Sequence, residues 1–210
     1  MKTEKENIFV FGASGHAKVV IDVIERQSLF TVACLVDDDA SLWGNQIYGY
    51  KVVGGRGEIS SSKAKRGIVA IGNNAARSAV ADWLKSNGYE LITAVHPSAQ
   101  IARGVSLGNG TVVMAGAIIN SDTVIGQNVI VNTQAGVDHD CVVGNGVHLA
   151  PKVTLCGTVR IDDLAFIGAG ATVIPNLSIG RESIVGAGAT VLKNVPPHTS
   201  VVGTPAKIKS

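Results

Sequence analysis

The chain has 210 residues, a formal net charge of +2, 46% hydrophobic residues, 4% aromatic residues and 25 glycines. Such an aliphatic, charge-poor composition excludes intrinsic disorder, and glycines without a three-residue period exclude collagen. Near-neutral charge in both halves argues against nucleic acid or an anionic membrane as partner, and the short, interrupted apolar runs exclude membrane insertion.

A core with almost no rings needs another way to fill its interior, since aromatics normally carry much of the buried area. Eight of the nine aromatic residues precede position 90, and only Phe166 follows it. The two halves of the chain are therefore read separately.

Met1 to Asn7 is charged and runs straight into a strand-like segment, unlike a secretory leader. Asn7–Phe11 reads as a short buried strand, followed by the glycine loop Gly12-Ala13-Ser14-Gly15-His16. Ala17–Gln27 is amphipathic, with Val19, Val20, Val23 and Ile24 on one side and Lys18, Asp22, Glu25 and Arg26 on the other, which predicts a helix. Thr31–Val36 is a second strand, ending in Asp37-Asp38-Asp39. A glycine-rich stretch from Trp43 to Gly57 follows. Ile68–Ile71 is a strand ending in Gly72-Asn73-Asn74, Ala75–Ser86 a helix, and Leu91–Val95 a last strand. Strand, glycine loop, helix, strand and acid in this order describe a Rossmann-like mononucleotide-binding βαβ unit over residues 1–95.

From Val95 onward, every sixth residue is aliphatic: Val95, Ile101, Leu107, Val113 and so on without a miss to Val191. The position four residues after each is small or β-branched, with Leu177 the larger exception. A hexapeptide period is the signature of a parallel β-helix. Each hexad supplies one short strand and one corner, three hexads close a triangular coil, and residues eighteen apart stack. The narrow prism has no room for rings, which accounts for the missing aromatics over residues 96–210.

Two readings attach to each candidate site. The loop GASGH lacks the dinucleotide fingerprint, because Ser14 and Ala17 stand where glycines would be. Glycines before a helix N-terminus still aim backbone N–H groups at an anion; the alternative is a tight turn that binds nothing. Asp37 and Asp38, at the end of the second strand, are placed to accept from a ribose hydroxyl or a base, whereas Asp39 reads as a solvated turn residue.

Of the five histidines, His96 and His198 adjoin prolines and read as surface residues. His139 lies in Asp138-His139-Asp140, where an imidazole beside a carboxylate can act as a general base; the alternative is an exposed corner histidine. Adjacent side chains on a strand point to opposite faces, so Asp140 can orient His139 only at a corner or bend. His148 comes nine residues later, half a coil away, which weakens a zinc site needing three convergent ligands. Cys141 fills an inward slot and Cys156 faces out. Three cysteines without CxxC spacing fit a reducing cytoplasm. No nucleophile elbow of a Ser–His–Asp hydrolase is present, since the GVSLG string at 104–108 lies among the hexads and not between a strand and a helix.

The segments FGASGH (11–16), LVDDD (35–39), AIGNN (70–74), DHDCVVGNGVHLAPKVTLCG (138–157) and GAGATVLKNVPPHTSVVGTPAK (186–207), with the hexads between them, resemble the PglD/NeuD-type bacterial sugar acetyltransferases. The resemblance spans nearly the whole chain. It implies a left-handed β-helix after the βαβ domain, acetyl-coenzyme A as co-substrate with no metal, and a homotrimer with the acyl groove between neighbouring β-helices. The nucleotide-linked amino sugar is then held by Ser14, Gly15, His16, Asp37, Asp38 and Gly72, near the catalytic histidine.

The resemblance further assigns His139 as the general base and Asp140 as its acid, where many members carry Glu. His148 and Gly157 match positions at the thioester, and Ala169 and Ala187 positions along the pantetheine groove. The expected reaction is N-acetylation of a nucleotide-linked amino sugar in glycan synthesis, the amine attacking the thioester and His139 taking its proton, with a backbone N–H near Gly157 facing the oxyanion. O-acetylation of a sugar such as sialic acid is the close alternative. A zinc carbonic-anhydrase-like lyase and a non-catalytic nucleotide-binding scaffold are the more distant ones.

Overall fold

The computed structural model describes residues 5–209; Met1–Glu4 of the charged opening therefore lie outside the described residues. The chain divides into two compact units, Met1–Pro97 and Ser98–Ser210.

The first unit is built on a four-stranded parallel sheet. Its strands are β1 (Glu6–Phe11), β2 (Phe30–Val36), β5 (Arg66–Val69) and β6 (Glu90–Leu91), in the order β2-β1-β5-β6. Helix α1 (Gly15–Gln27) buries Ala17, Val20, Ile21, Val23 and Ile24. Positions 17, 20, 21 and 24 form the i, i+3, i+4, i+7 stripe of a core-facing helix. Val19, expected on that stripe, lies one step off it and is 41% exposed. The chain leaves α1 through Ser28, whose left-handed backbone lets its N–H reach back to the Ile24 carbonyl at 3.0 Å.

β5 begins and ends two residues earlier than the apolar pattern predicts. The Phe9 ring lies where a side chain on Gly67 would stand, so the strand needs a glycine there and carries no hydrophobic mark at that position. The expected strand over 91–95 is divided into β6 and Ala94–Val95. The glycine-rich stretch holds an unforeseen hairpin, β3 (Gln46–Ile47) with β4 (Tyr50–Lys51). Its turn residues Tyr48 and Gly49 both have positive φ, the geometry of a two-residue primed turn. A 3-10 segment, Arg56–Ser62, follows. Helix α2 (Asn74–Ser86) starts at Asn73, whose side chain accepts from the Ala76 N–H at 2.9 Å.

The second unit is a left-handed parallel β-helix of about six turns. Its two-residue strands stack with partners eighteen positions apart, as in Ile118↔Gly136, Val124↔Val142 and Ile130↔His148. One face carries Val112–Val113, Ile130–Val131, His148–Leu149, Phe166–Ile167 and Ile184–Val185. A second carries Gly136–Val137 and Thr154–Leu155, and the third Val142–Val143 and Arg160–Ile161.

Every hexad aliphatic from Val113 to Val191 is buried, each contributing about 1.5–3 kcal/mol. The buried hydroxyls among the small slots are satisfied at the corners: Thr111 donates to Gly126 O at 2.8 Å, Thr123 to Asp138 O at 2.7 Å and Ser183 to Pro196 O at 2.7 Å.

Two backbone requirements recur at the corners. The residue after each strand often has to be glycine because coils stack tightly there; a Cβ on Gly108 would come within 2.5 Å of the Gly126 backbone. Two positions later the chain takes a left-handed turn, through glycine in some coils and through Asp122, Asn128, Gln134, Asp140 or Lys152 in others.

Candidate active site

Corner 138–140 lies between the second and third faces of the β-helix. Asp140 has φ 58°, a left-handed conformation that Asp tolerates better than most residues. That turn swings its carboxylate back toward the preceding ring. The His139 Nδ1 and Asp140 Oδ2 atoms are 2.7 Å apart. The bend required for Asp140 to orient His139 is therefore present.

Asp138 completes the corner from the other side. Its Oδ1 accepts from the His139 N–H at 2.8 Å and from Asn120 Nδ2 at 3.0 Å. These bonds hold the Asp138 carboxyl below its usual pKa, Asn120 having the larger effect. The His139 imidazole is pushed above its usual value, chiefly by the Asp140 hydrogen bond and then by the charge of Asp138. With Nδ1–H donating to Asp140, Nε2 is left as the proton acceptor of a half-exposed ring.

Eighteen residues on, Gly157 lies directly against that ring. A Cβ there would stand 2.7 Å from His139 Nε2 and 2.8 Å from Cε1. Glycine at 157 thus makes room for the imidazole in the coil above. Among the described residues the Gly157 N–H finds no hydrogen-bond acceptor. In the preceding coil Asp138 takes the equivalent N–H; here the matching residue is Cys156.

His148 belongs to a different part of the prism. It sits on the first face, stacked between Ile130 and Phe166. Its Nε2 is 3.1 Å from Asn132 Nδ2, and its ring meets Phe166 edge-on at 5.2 Å. Asn132 lies in the corner that follows this face, and the exposed Ala169 and Ala187 lie at that corner in later coils. The structure thus joins His139, Asp140 and Gly157 at one corner, and puts His148, Ala169 and Ala187 along another edge of the same chain. Asn120 and Asn132 escaped the sequence reading. Asn120 stands eighteen residues before Asp138, so the coil period itself pointed to it.

In the first unit, the loops after β1 and β5 leave the sheet where the strand order reverses, the place where open α/β sheets bind ligands. Gly12 has φ +116°, and a Cβ on it would come within 2.6 Å of the Ala70 carbonyl, so the two loops are drawn close by a residue that must be glycine. Ser14 is the N-cap of α1 and makes no side-chain capping bond, while Gly15 is exposed with open space where a Cβ would stand. Both leave the helix N-terminus accessible to an anion. His16, in the first helical turn, has its pKa lowered to about 4 by burial and then by the charge of Arg77. It is neutral at pH 7.

Asp37 acts as a staple between loops: Oδ2 accepts from the Ala13 N–H at 2.7 Å and Oδ1 from the Asp39 N–H at 2.9 Å. Asp38 is paired with Arg56, which lowers its pKa mainly through that side-chain hydrogen bond. The same Arg56 guanidinium lies 4.8 Å from the Trp83 ring. Asp39 caps the turn at Ala40–Leu42 through the Ser41 N–H. Gly72, in the loop after β5, has open space on the side where a Cβ would point.

Among the described residues no group of three or more His, Cys, Asp or Glu stands close enough to hold a metal. Cys34 and Cys141 are buried free thiols and Cys156 is a half-buried one. No helix of the described residues is long and apolar enough to cross a membrane.

Residues 7–84 match the family model of the PglD N-terminal domain, and residues 122–157 match that of the bacterial transferase hexapeptide (six repeats). GDP-perosamine N-acetyltransferase from Escherichia coli O157:H7 is 32% identical over 207 residues, covering 94% of each chain. The crystal structure of PerB from Caulobacter crescentus, in complex with CoA and GDP-perosamine, is 40% identical, with a TM-score of 0.92 over 99% of both chains. The acetyltransferase domain of PglB from Neisseria gonorrhoeae, in complex with acetyl coenzyme A, is 32% identical, with a TM-score of 0.90 over 98% of this chain and 100% of that one. With its glycine loop, its hexapeptide coils and relatives that match it end to end, this chain belongs to the PglD/NeuD-type family of hexapeptide-repeat sugar acetyltransferases.

Proposed function

We propose that the protein transfers the acetyl group of acetyl-coenzyme A to the amino group of a nucleotide-linked amino sugar, in glycan synthesis in the cytoplasm. The observation that carries this reading is the half-exposed, Asp140-oriented imidazole of His139, with its Nε2 set against Gly157. The neutral amine attacks the thioester carbonyl and a C–N bond forms. The ammonium proton passes to His139 Nε2, the C–S bond breaks, and the coenzyme leaves as thiol after taking up a proton. The raised pKa of His139 suits it to accept that proton. The N–H of Gly157 is the donor proposed for the oxyanion.

In this reading residues 1–95 bind the nucleotide sugar and residues 96–210 carry out the transfer. Ser14, Gly15, His16 and Gly72 receive the diphosphate. Asp37 holds the receiving loop in shape, and Asp38, with Arg56, borders the nucleoside. His148, Gly157, Ala169 and Ala187 contact the coenzyme. Because His139 and the Ala169–Ala187 edge occupy different corners of one prism, one chain does not bring base and coenzyme groove together on a single edge. A homotrimer, with the corner of one β-helix facing the edge of the next, supplies the missing half of each site.

The test is release of coenzyme A thiol from acetyl-coenzyme A in the presence of UDP-, dTDP-, GDP- and CMP-linked amino sugars. Release dependent on at least one amino sugar is expected. No release with any of them overturns the proposal.

A further inference from the structure

Arg77 lies in the first turn of α2 and is 1% exposed. Its Nη1 donates to Ile71 O and Gly72 O, both at 3.0 Å, and its Nη2 donates to Asn74 Oδ1 at 2.9 Å. One planar fork thus gathers two carbonyls of the loop between β5 and α2 and the side chain of the first residue of α2. A lysine ammonium presents its donors from a single point and does not reproduce that span.

The loop needs such a brace. Gly72 carries no side chain to anchor it and has open space on the side where a Cβ would point. Its neighbour across the crevice is the loop after β1, whose Gly12 packs onto Ala70. Arg77 acts electrostatically on that second loop as well. Its charge is one of the two causes that keep the His16 imidazole neutral. Arg77 itself has its pKa lowered to about 10 by burial, so it remains protonated at pH 7. Arg77 therefore brings a positive charge to this end of the sheet from beneath the loops, while the His16 imidazole at the start of α1 brings none.

We propose that Arg77 is a positioning residue for the nucleotide: from inside the fold, its guanidinium holds the Ile71–Asn74 loop in the shape that receives the diphosphate. The inference rests on reading Gly12–His16 and Gly72 as the nucleotide site. It goes beyond that reading by assigning the site's shape to a side chain that solvent does not reach.

The test is calorimetric titration of UDP and GDP into native protein and the Arg77→Met, Arg77→Lys and Asn74→Ala variants, with thermal melts and KM for acetyl-coenzyme A alongside. Both Arg77 variants are expected to bind the diphosphate about tenfold or more weakly, and Asn74→Ala about threefold or more weakly, the loss expected for charge-assisted hydrogen bonds. KM for acetyl-coenzyme A stays within about twofold of native, since the β-helix is a separate compact unit. Native affinity in Arg77→Lys overturns the fork argument, because charge alone then suffices. Equal losses for both substrates, following a fall in melting temperature, reduce Arg77 to a structural residue and also overturn it. If the buried substitutions do not fold, Asn74→Ala decides the matter, and native affinity in that variant refutes the proposal. A native protein that binds neither diphosphate removes the nucleotide reading together with this one, whereas tight native binding with unaffected variants removes this one alone.

Discussion

Replacing Gly157 with alanine isolates one spatial relation on which the proposed chemistry depends. The new methyl carbon would stand 2.7 Å from His139 Nε2 and 2.8 Å from Cε1, against ordinary contacts of 3.4–4 Å. The imidazole must therefore retreat by roughly 0.7 Å or rotate off Asp140. Misplacing a reacting group by about 1 Å can lower a rate on the order of 10²-fold, so a fall in kcat of about 10- to 100-fold is expected. The backbone gives no second cause, because Gly157 has an ordinary φ that alanine adopts freely. The alanine also keeps the N–H proposed for the oxyanion. His139 is half-exposed and can swing outward, so stability should change by about 0.5 kcal/mol or less, roughly 2 °C in melting temperature. The assay is initial-rate thiol release at saturating acetyl-coenzyme A and acceptor, with a melt on the same sample. Native kcat in Gly157→Ala refutes the reasoning, because the base would then not need its place over residue 157.

Three further outcomes follow from other parts of the structure. Asp140→Asn removes the largest cause of the raised His139 pKa; since the base must be neutral to act, the acid limb of the kcat/KM profile should move to lower pH while kcat drops, and an unmoved limb would detach Asp140 from the titration. Asp37→Ala leaves the Ala13 and Asp39 N–H groups without their carboxylate and should raise KM for the sugar nucleotide about three- to tenfold, with a smaller change in kcat; the reverse pattern would move Asp37 out of its binding role. Ile119→Ala, at a hexad position with no exposure, should cost about 2–5 kcal/mol, read as a lower denaturation midpoint, and an unchanged midpoint would contradict the account of the ladder.

The β-helix was legible in the sequence because its interior repeats one demand every six residues, and Val113 to Val191 meet it without interruption. The left-handed corner position was hidden because Gly146, Asp140, Lys152 and Leu164 all adopt it, so no single residue type marks it. Spatial relations eighteen residues apart were harder to see than adjacent ones. Asp138-His139-Asp140 stands out as a triplet, but Gly157 under the ring and Asn120 behind Asp138 are joined to it only by the coil.

In the first unit, the glycine loop and the acids after β2 marked the candidate site in the sequence, whereas the partners of those acids did not show. Asp37 looks like a free acceptor in the sequence and is a loop staple in the fold. Arg77 carries nothing in the sequence that sets it apart from other helix arginines and is among the largest fully buried side chains. The β3–β4 hairpin was missed because tyrosine rarely occupies a left-handed turn position, and β5 was shifted because the residue that receives the Phe9 ring has no side chain.

The most direct test of acetyl transfer to an amine under His139 is product analysis. Native protein and His139→Ala are incubated with acetyl-coenzyme A and the best nucleotide amino sugar, and the product is examined by mass spectrometry before and after mild alkaline treatment. The account predicts a monoacetylated product whose acetyl group survives alkali as an amide, formed about 10²- to 10⁴-fold more slowly by His139→Ala. An acetyl group lost to alkali as an ester, or an undiminished rate in His139→Ala, would contradict it.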